Sequence, residues 1–294
     1  MKKRILYIFI VSLSIVGCKV IERLPKLIIT NQATVYSTVI QFDFENGKKS
    51  NKGKEIARYG YDQENNLIEN YDKKGLFLQY KFDSINNVSE ELFYENYDSI
   101  SGIRTPSARW INIYDNKALK TFTVMFEFQN SNWVVEDTVS YEYSLNEKNQ
   151  IIERKYYSDS KQLKWIEKSE YIQNAPTENQ PYDFNRIGTL TKHYCSKETT
   201  YKSDGTLLDS TVYTYDNLHR LIKKIDYRNN QKYPTVIKYK YNESNQIIEQ
   251  SQYFGDGGSL FYKKHFTYNS IGLRLTETWY DSSEKPKWIK EHKY

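Results

Sequence analysis

The sequence predicts an all-β protein, an antiparallel meander of repeated β-hairpins forming a long twisted or curled sheet. Three observations carry this. The chain holds 28 Tyr and 13 Phe among 294 residues, with Val, Ile and Thr throughout, and such side chains suit a pleated, half-buried surface. Stretches such as Ile237-Lys-Tyr239-Lys-Tyr241 alternate apolar and charged residues, as a strand with one buried face does. A twelve-residue pattern also recurs: "YTYDNLHRLIKK" from Tyr213 echoes "YGYDQENNLIEN" from Tyr59 and "YKYNESNQIIEQ" from Tyr239.

Each copy reads as aromatic-x-aromatic, a polar turn, an aliphatic pair and a charge. Tyr59/Tyr61 leads to Leu67-Ile68-Glu69, Tyr80/Phe82 to Val88-Ser89-Glu90, and Tyr141/Tyr143 to Ile151-Ile152-Glu153. Tyr213/Tyr215 leads to Leu221-Ile222-Lys223, Tyr239/Tyr241 to Ile247-Ile248-Glu249, and Phe266/Tyr268 to Leu273 and Leu275. Residues i and i+2 of a strand share a face, so each pair presents two rings to one side. The Asn/Asp/Ser-rich segment then reverses the chain. Asn46-Gly47 and Asp204-Gly205 suit two-residue hairpin turns, and Gly255-Asp256-Gly257-Gly258 separates two further strands. The spacing gives about fifteen strands.

A longer echo overlies these. "YYSDSKQLKWIEKSEY" (156–171) matches "WYDSSEKPKWIKEHKY" (279–294), and Arg109-Trp110-Ile-Asn-Ile-Tyr114 is a fainter relative. Between the copies runs a polar stretch broken by Pro176 and Pro181. The reading is a tether and first strands over 18–58, a first half over 59–171, a linker over 172–190 and a second half over 191–294.

Tyr215-Asp216-Asn-Leu-His-Arg220-Leu221 resembles the YD repeat of Rhs-type proteins, roughly Tyr-Asp-x-x-Gly-Arg-Leu. Tyr61-Asp62 and Tyr268-Asn269-Ser-Ile-Gly272 are looser versions. The motif glycine is mostly absent, Asp often becomes Asn or Ser, and no attached toxin domain is recognisable. The resemblance implies stacked hairpins curling into a shell or spiral and an association with carbohydrate or partner binding. It implies no catalytic residue.

The N-terminus predicts a compartment. Lys2, Lys3 and Arg4 precede an apolar stretch from Ile5 to Val16, too short to span a bilayer comfortably. It ends in Ile15-Val16-Gly17-Cys18, which resembles the lipobox of bacterial lipoproteins. That resemblance implies a signal peptide over 1–17 and acylation of Cys18 by chains such as palmitate. The implied result is a protein anchored in the cell envelope, with the outer membrane as the expected site and the leaflet open. Removal of 1–17 would take the net charge from +5 to +2. No basic run survives that would neutralise a row of phosphates, so nucleic acid is not an expected partner.

Chemistry is sparse. With Cys18 acylated, Cys195 is the remaining thiol, which excludes an internal disulfide. His193 and Cys195 would share a strand face but make two ligands where a zinc site needs three or four. The acids Glu69, Glu90, Glu153 and Glu249 occupy one repeat position, and cross-strand pairing with residues such as Lys223, Lys240 or Lys263 is favoured over a cation site. Asp256 reads as a turn residue. No phosphate loop, hydrolase elbow or paired metal motif is present. The expectation is therefore no enzyme, no cofactor and no metal. Trp165 and Trp288, 123 positions apart, are the candidate ligand-stacking residues; the competing reading is that they form cross-strand ladders.

The expected function is a non-enzymatic lipid-anchored envelope module that binds a glycan or a protein. The alternative is an immunity-type or envelope-assembly lipoprotein acting through a protein partner. A membrane-spanning barrel is a third class, suited by the terminal aromatic Tyr294 but disfavoured by the lipobox and the Tyr- and Lys-rich faces.

Overall fold

A computed structural model describes residues 35–62, 67–72, 77–84, 87–95, 105–172, 194–228 and 232–294. The signal segment, Cys18, His193 and the stretch 173–190 lie outside the described residues. Every regular element among the described residues is a strand. In chain order these are β1 (Val35–Glu45), β2 (Lys48–Lys49), β3 (Lys54–Tyr61), β4 (Leu67–Asp72), β5 (Phe77–Phe82) and β6 (Val88–Glu95). Then come β7 (Thr105–Tyr114), β8 (Lys120–Gln129), β9 (Asn132–Leu145), β10 (Ile151–Tyr157) and β11 (Leu163–Tyr171). The second half comprises β12 (Cys195–Lys202), β13 (Leu207–Tyr215), β14 (Leu221–Arg228), β15 (Thr235–Tyr241), β16 (Ile247–Phe254), β17 (Leu260–Tyr268), β18 (Arg274–Tyr280) and β19 (Pro286–Lys293).

The meander is antiparallel throughout, and it closes. β1 pairs with β3 on one side, through Tyr36↔Gly60 and Val39↔Ala57. On the other it pairs with β19, through Val39↔His292 and Phe42↔Ile289. Eighteen strands, β1 and β3 to β19, thus form a ring, with β2 a short flap on β1. This corrects the expected long twisted or curled sheet. The physical reason is the edge: an open meander leaves two rows of unpaired N–H and C=O groups, and β1 covers both at once. The halves do not separate into bodies, because β11 and β12 pair from Trp165↔Lys202 to Tyr171↔Cys195.

Following opposite residues around the ring returns to β1 on the face that was left, so two continuous faces result. One carries Tyr59, Tyr80, Trp110, Tyr141, Tyr156, Trp165, Tyr213, Tyr239, Trp279 and Trp288. The other carries Glu90 between Lys81 and Arg109, Glu153 with Lys155 and Lys168, and Glu249 with Lys240 and His265. Crowding identifies the inside. Burial raises the hydroxyl pKa of Tyr80, Tyr114, Tyr141, Tyr156 and Tyr241 on the tyrosine face, and of Tyr157 on the other. Glu142, Lys164, Lys168, Thr214 and Lys240 on the ion-pair face are exposed. Eighteen strands enclose more room than side chains can fill, so the inner wall is a half-buried aromatic lining rather than a solid core.

A compact apolar cluster lies on the outer face, where Phe77, Leu92 and Tyr94 pack with Tyr71 and Trp133. Trp133 is three strands from β6, which on a flat sheet is about 14 Å at the usual strand spacing. The β8–β9 ladder carries a bulge between Met125 and Phe126, a feature that bends a strand and raises its local twist.

The recurring aromatic-Asp/Asn unit has a specific task at one rim. The hydroxyls of Tyr114, Tyr143, Tyr171, Tyr215, Tyr241, Tyr268 and Tyr294 donate to the carbonyls of Val88, Lys120, Ile151, Cys195, Leu221, Ile247 and Arg274, at 2.7–3.0 Å. Each bond ties a hairpin to its predecessor where the strand ladder runs out, and satisfies a carbonyl that the ladder leaves over. The following Asp or Asn closes the turn: Asp216 Oδ1 accepts from the backbone N–H of Leu218 and Arg220, and Asn269 Oδ1 from those of Ile271 and Leu273.

The motif glycine position remains left-handed although glycine has mostly gone. Ala118 (φ 60°), Asn149 (59°), Lys161 (59°), His219 (60°), Asn245 (61°) and Glu284 (56°) stand there, beside Gly205 (83°) and Gly272 (89°). A β-carbon in this region costs about 1–2 kcal/mol. Lys161→Gly and Glu284→Gly should therefore each raise stability by about 0.5–1 kcal/mol, read as a higher urea midpoint at unchanged m-value. Tyr241→Phe should lower it by about 1 kcal/mol, because the Leu221 carbonyl loses its donor.

Candidate functional site

The sequence-predicted Trp165 and Trp288 both lie on the inner wall, each next to the turn at the rim opposite the tyrosine bonds. Trp288 of β19 stands opposite Trp279 of β18, with ring centroids 5.5 Å apart and planes 7° from parallel. Tyr262 of β17 continues the row at 5.3 Å from Trp279. Three half-buried rings on consecutive strands thus make a shelf of stacked rings, a cross-strand ladder in which Trp279 and Trp288 turn their faces to each other at about the strand spacing of 4.8 Å. Asp43 faces Trp288 from β1 in register, and Gln250 approaches the Tyr262 hydroxyl at 3.5 Å.

Cations surround one carboxylate beside this shelf. Glu277, 7% exposed, lies within 3.0 Å of Lys264 Nζ and 4.0 Å of Lys290 Nζ. Burial alone would raise its pKa, but Lys290, Lys264 and Arg274 together hold it below the usual glutamate value. The Lys290 ammonium also sits over the Trp288 ring, 4.8 Å from its centroid.

The first-half copy uses the same frame with different contents. Tyr156 and Trp165 stand opposite each other, 4.9 Å apart, at the positions of Trp279 and Trp288. Arg154 and Glu167 replace Glu277 and Lys290, so the cross-strand ion pair has the same place and the opposite polarity. Here the network is closed: Glu167 accepts from Arg154 on one oxygen and from the Tyr156 hydroxyl at 2.6 Å on the other. Tyr141 packs on Tyr156 at 5.4 Å and shares a hydrogen bond with Thr123. Lys264 occupies the position that Tyr141 holds in the first half, 123 residues earlier.

The other residues singled out in the sequence do not converge. Cys195 is buried, and its thiol donates to the Lys197 carbonyl. Glu69 accepts from Tyr36 and Gln79, while Glu90, Glu153 and Glu249 meet cations on the outer face. Asp256 pairs with Lys223 at 2.7 Å. Among the described residues no group of three or more His, Cys, Asp or Glu is placed to hold a metal ion. Sequence reasoning missed Trp279, Tyr262, Lys264 and Lys290. Trp279 was within reach, since it opens the longer echo at the place of Tyr156.

No protein-family model matches the sequence, and no curated protein matches it. Solved structures with similar strand arrangements include a porin-like protein from Bacteroides uniformis, 8% identical, with a TM-score of 0.45 over 88% of this chain and 95% of that one. A porin-like protein from Bacteroides vulgatus is 10% identical, with a TM-score of 0.32 over 87% of this chain and 97% of that one. A Tc holotoxin pore structure from Photorhabdus luminescens is 10% identical, with a TM-score of 0.34 over 82% of this chain and 13% of that one.

Two pH dependences follow from the wall. Glu277 has a depressed pKa in the fold, so its contribution is present above the ordinary value of 4.5 and is lost as pH falls through its folded value. Urea midpoints should drop in that acid range, and Glu277→Gln should flatten the dependence. Burial, with Glu91 nearby, raises Tyr80 to about 12, and burial raises Tyr241 to about 12 against the opposing Arg220 charge. Their contribution is complete below 10 and is lost between 10 and 12. Absorbance titration should show a late tyrosine class that ionises together with unfolding.

Proposed function

We propose that this protein is a non-enzymatic, lipid-anchored envelope module that binds a glycan along the inner wall of its barrel. The observation that carries the reading is the shelf of Tyr262, Trp279 and Trp288: three half-buried rings on consecutive strands, with Trp288 next to the turn at one rim. An aromatic row with a few polar groups beside it suits sugar rings, which present apolar C–H patches and polar edges. Asp43, Gln250 and Glu277 supply such groups. The Trp165 copy is filled by its own hydrogen-bond network, so the ligand is assigned to the Trp288 copy.

The barrel stands in water in this reading. Neither face offers a continuous apolar band, since Lys168, Lys197, Lys238 and Lys263 project from one and Arg154, Lys224, Lys264 and Lys290 from the other. A cation at the bilayer midplane on a lipid-facing strand costs about 2–4 kcal/mol. Membrane attachment is then the task of lipid on Cys18, as the Ile15-Val16-Gly17-Cys18 lipobox implies.

The test uses the chain with Cys18→Ala, purified without detergent and screened on a glycan array. Binding of at least one glycan is expected, and Trp288→Ala should weaken it about ten-fold or more, equivalent to about 1.4 kcal/mol, with the far-ultraviolet circular dichroism unchanged. An array without a hit, or binding indifferent to Trp288→Ala, would sink the reading. A protein that partitions into detergent despite Cys18→Ala would remove the anchor part of it.

A further inference from the structure

Chain direction distinguishes the two mouths of the barrel. β1 begins at Val35, opposite the Tyr61 end of β3 and beside the end of β19, so the chain enters the ring at the rim of the tyrosine-to-carbonyl bonds. Trp288 stands near the other rim. Five turns of the entry rim, 115–119, 146–150, 216–220, 242–246 and 269–273, share one form. In each, the N–H of the fifth residue donates to the Asp or Asn side chain of the first, at 2.8–2.9 Å. The third residue stands at the tip, and it is Lys117, Lys148, Leu218, Ser244 or Ile271, exposed in every case. Leu218 at 57% and Ile271 at 79% are the most exposed large aliphatic side chains among the described residues. Leu273 and Tyr294 add exposed apolar surface to the same arc of the rim. Glu147 and Glu243, exposed in the same turns, offset Lys117 and Lys148.

Resting on the lipid-anchor reading above, we propose that the entry rim is a docking surface for the lipid bilayer that holds Cys18, with Leu218 and Ile271 set into it. Sixteen residues, 19–34, join Cys18 to Val35, so the anchor leaves from this rim. For the opposite rim to meet the bilayer, the same residues would have to run back along the barrel, past a β1 of 11 residues. Single exposed aliphatics are ordinary on a protein surface. Here the two most exposed occupy equivalent tips on the rim from which the anchor extends. Four strand spacings, about 19 Å, separate them, so together they seat one arc of the rim. Tyr294, whose ring is apolar and whose hydroxyl donates to the Arg274 carbonyl, suits the boundary between lipid and water. With lysines and glutamates balanced, the contact is apolar and needs no anionic lipid. Docking this way turns the opposite mouth to the water, with Trp288 and the exposed rings of Tyr233, Phe254 and Phe261 around it.

The experiment uses the full chain, produced in a bacterium that acylates lipoproteins and reconstituted in phosphatidylcholine vesicles. A fluorophore is attached to one introduced cysteine, Asn217→Cys or Ser270→Cys at the entry rim or Ser282→Cys at the opposite one. Cys195 is buried and Cys18 carries lipid, so the introduced thiol takes the label. Quenching by nitroxide-bearing lipid should be at least about two-fold stronger at positions 217 and 270 than at 282, and sodium chloride should not change the pattern. Leu218→Ser with Ile271→Ser should bring the entry-rim labels down to the level of 282, while Phe254→Ser with Phe261→Ser leaves them as they were. Equal quenching at both rims, or stronger quenching at 282, overturns the docking surface and leaves the anchor standing. So does entry-rim quenching that survives Leu218→Ser with Ile271→Ser. A chain that does not float with the vesicles overturns the anchor reading and this inference with it.

Discussion

Main-chain pairing on both sides of every ring strand holds this molecule together. An eighteen-stranded ring has no central core of the usual kind to stabilise it, because its strands pack chiefly against their neighbours in the ring. Its free energy must come from ladders, cross-strand side-chain pairs and local skins of packing. β1 is the strand on which that depends. By joining β3 and β19 it removes the two edges that would otherwise invite further pairing. The Lys49 ammonium fastens the same seam, meeting Glu291 of β19 while lying 3.8 Å from the Phe42 ring centroid.

Around the ring, the tyrosine-to-carbonyl bonds do for successive hairpins what β1 does for the ends. They begin where strand pairing stops and hold neighbouring turns at a fixed spacing. This explains why the sequence varies so much between copies without losing the fold. The ring needs an aromatic hydroxyl, a turn-closing side chain and a residue willing to be left-handed. It asks little of the positions between, and several left-handed sites are filled by residues as ill-suited as Lys161 and Glu284.

Much of this was legible in the sequence. The hairpins, their Asp/Asn turns and the paired aromatics are local features with a short period, and each appears where its pattern lies. The turn at Asn46-Gly47 has positive φ at both residues, 53° and 75°, as its composition implies. Closure was not legible. It depends on contact between β1 and β19, about the whole chain apart, and a two-residue period says which residues share a face but not how many strands complete a circle. The shelf was half legible. The echo at 123 residues located Trp165 and Trp288, yet Lys264 and Lys290 carry no local signal, since a lysine alternating with aromatics looks alike on either face. The outer cluster around Phe77 was hidden for another reason: Trp133 joins it from three strands away, a distance that no local period records.

The reversed ion pair has one more consequence, for the way the chain finds its own register. Two stretches this alike offer the folding chain a choice of partners: β10 could seek β19, and β18 could seek β11. The correct pairings place Arg154 against Glu167 and Glu277 against Lys290. The exchanged pairings would set Arg154 against Lys290 and Glu277 against Glu167, two like-charge contacts on a wall where charge is poorly screened. One inverted pair thus makes each copy legible to its own neighbour and repellent to its double, and a chain built from repeats keeps its strands in order.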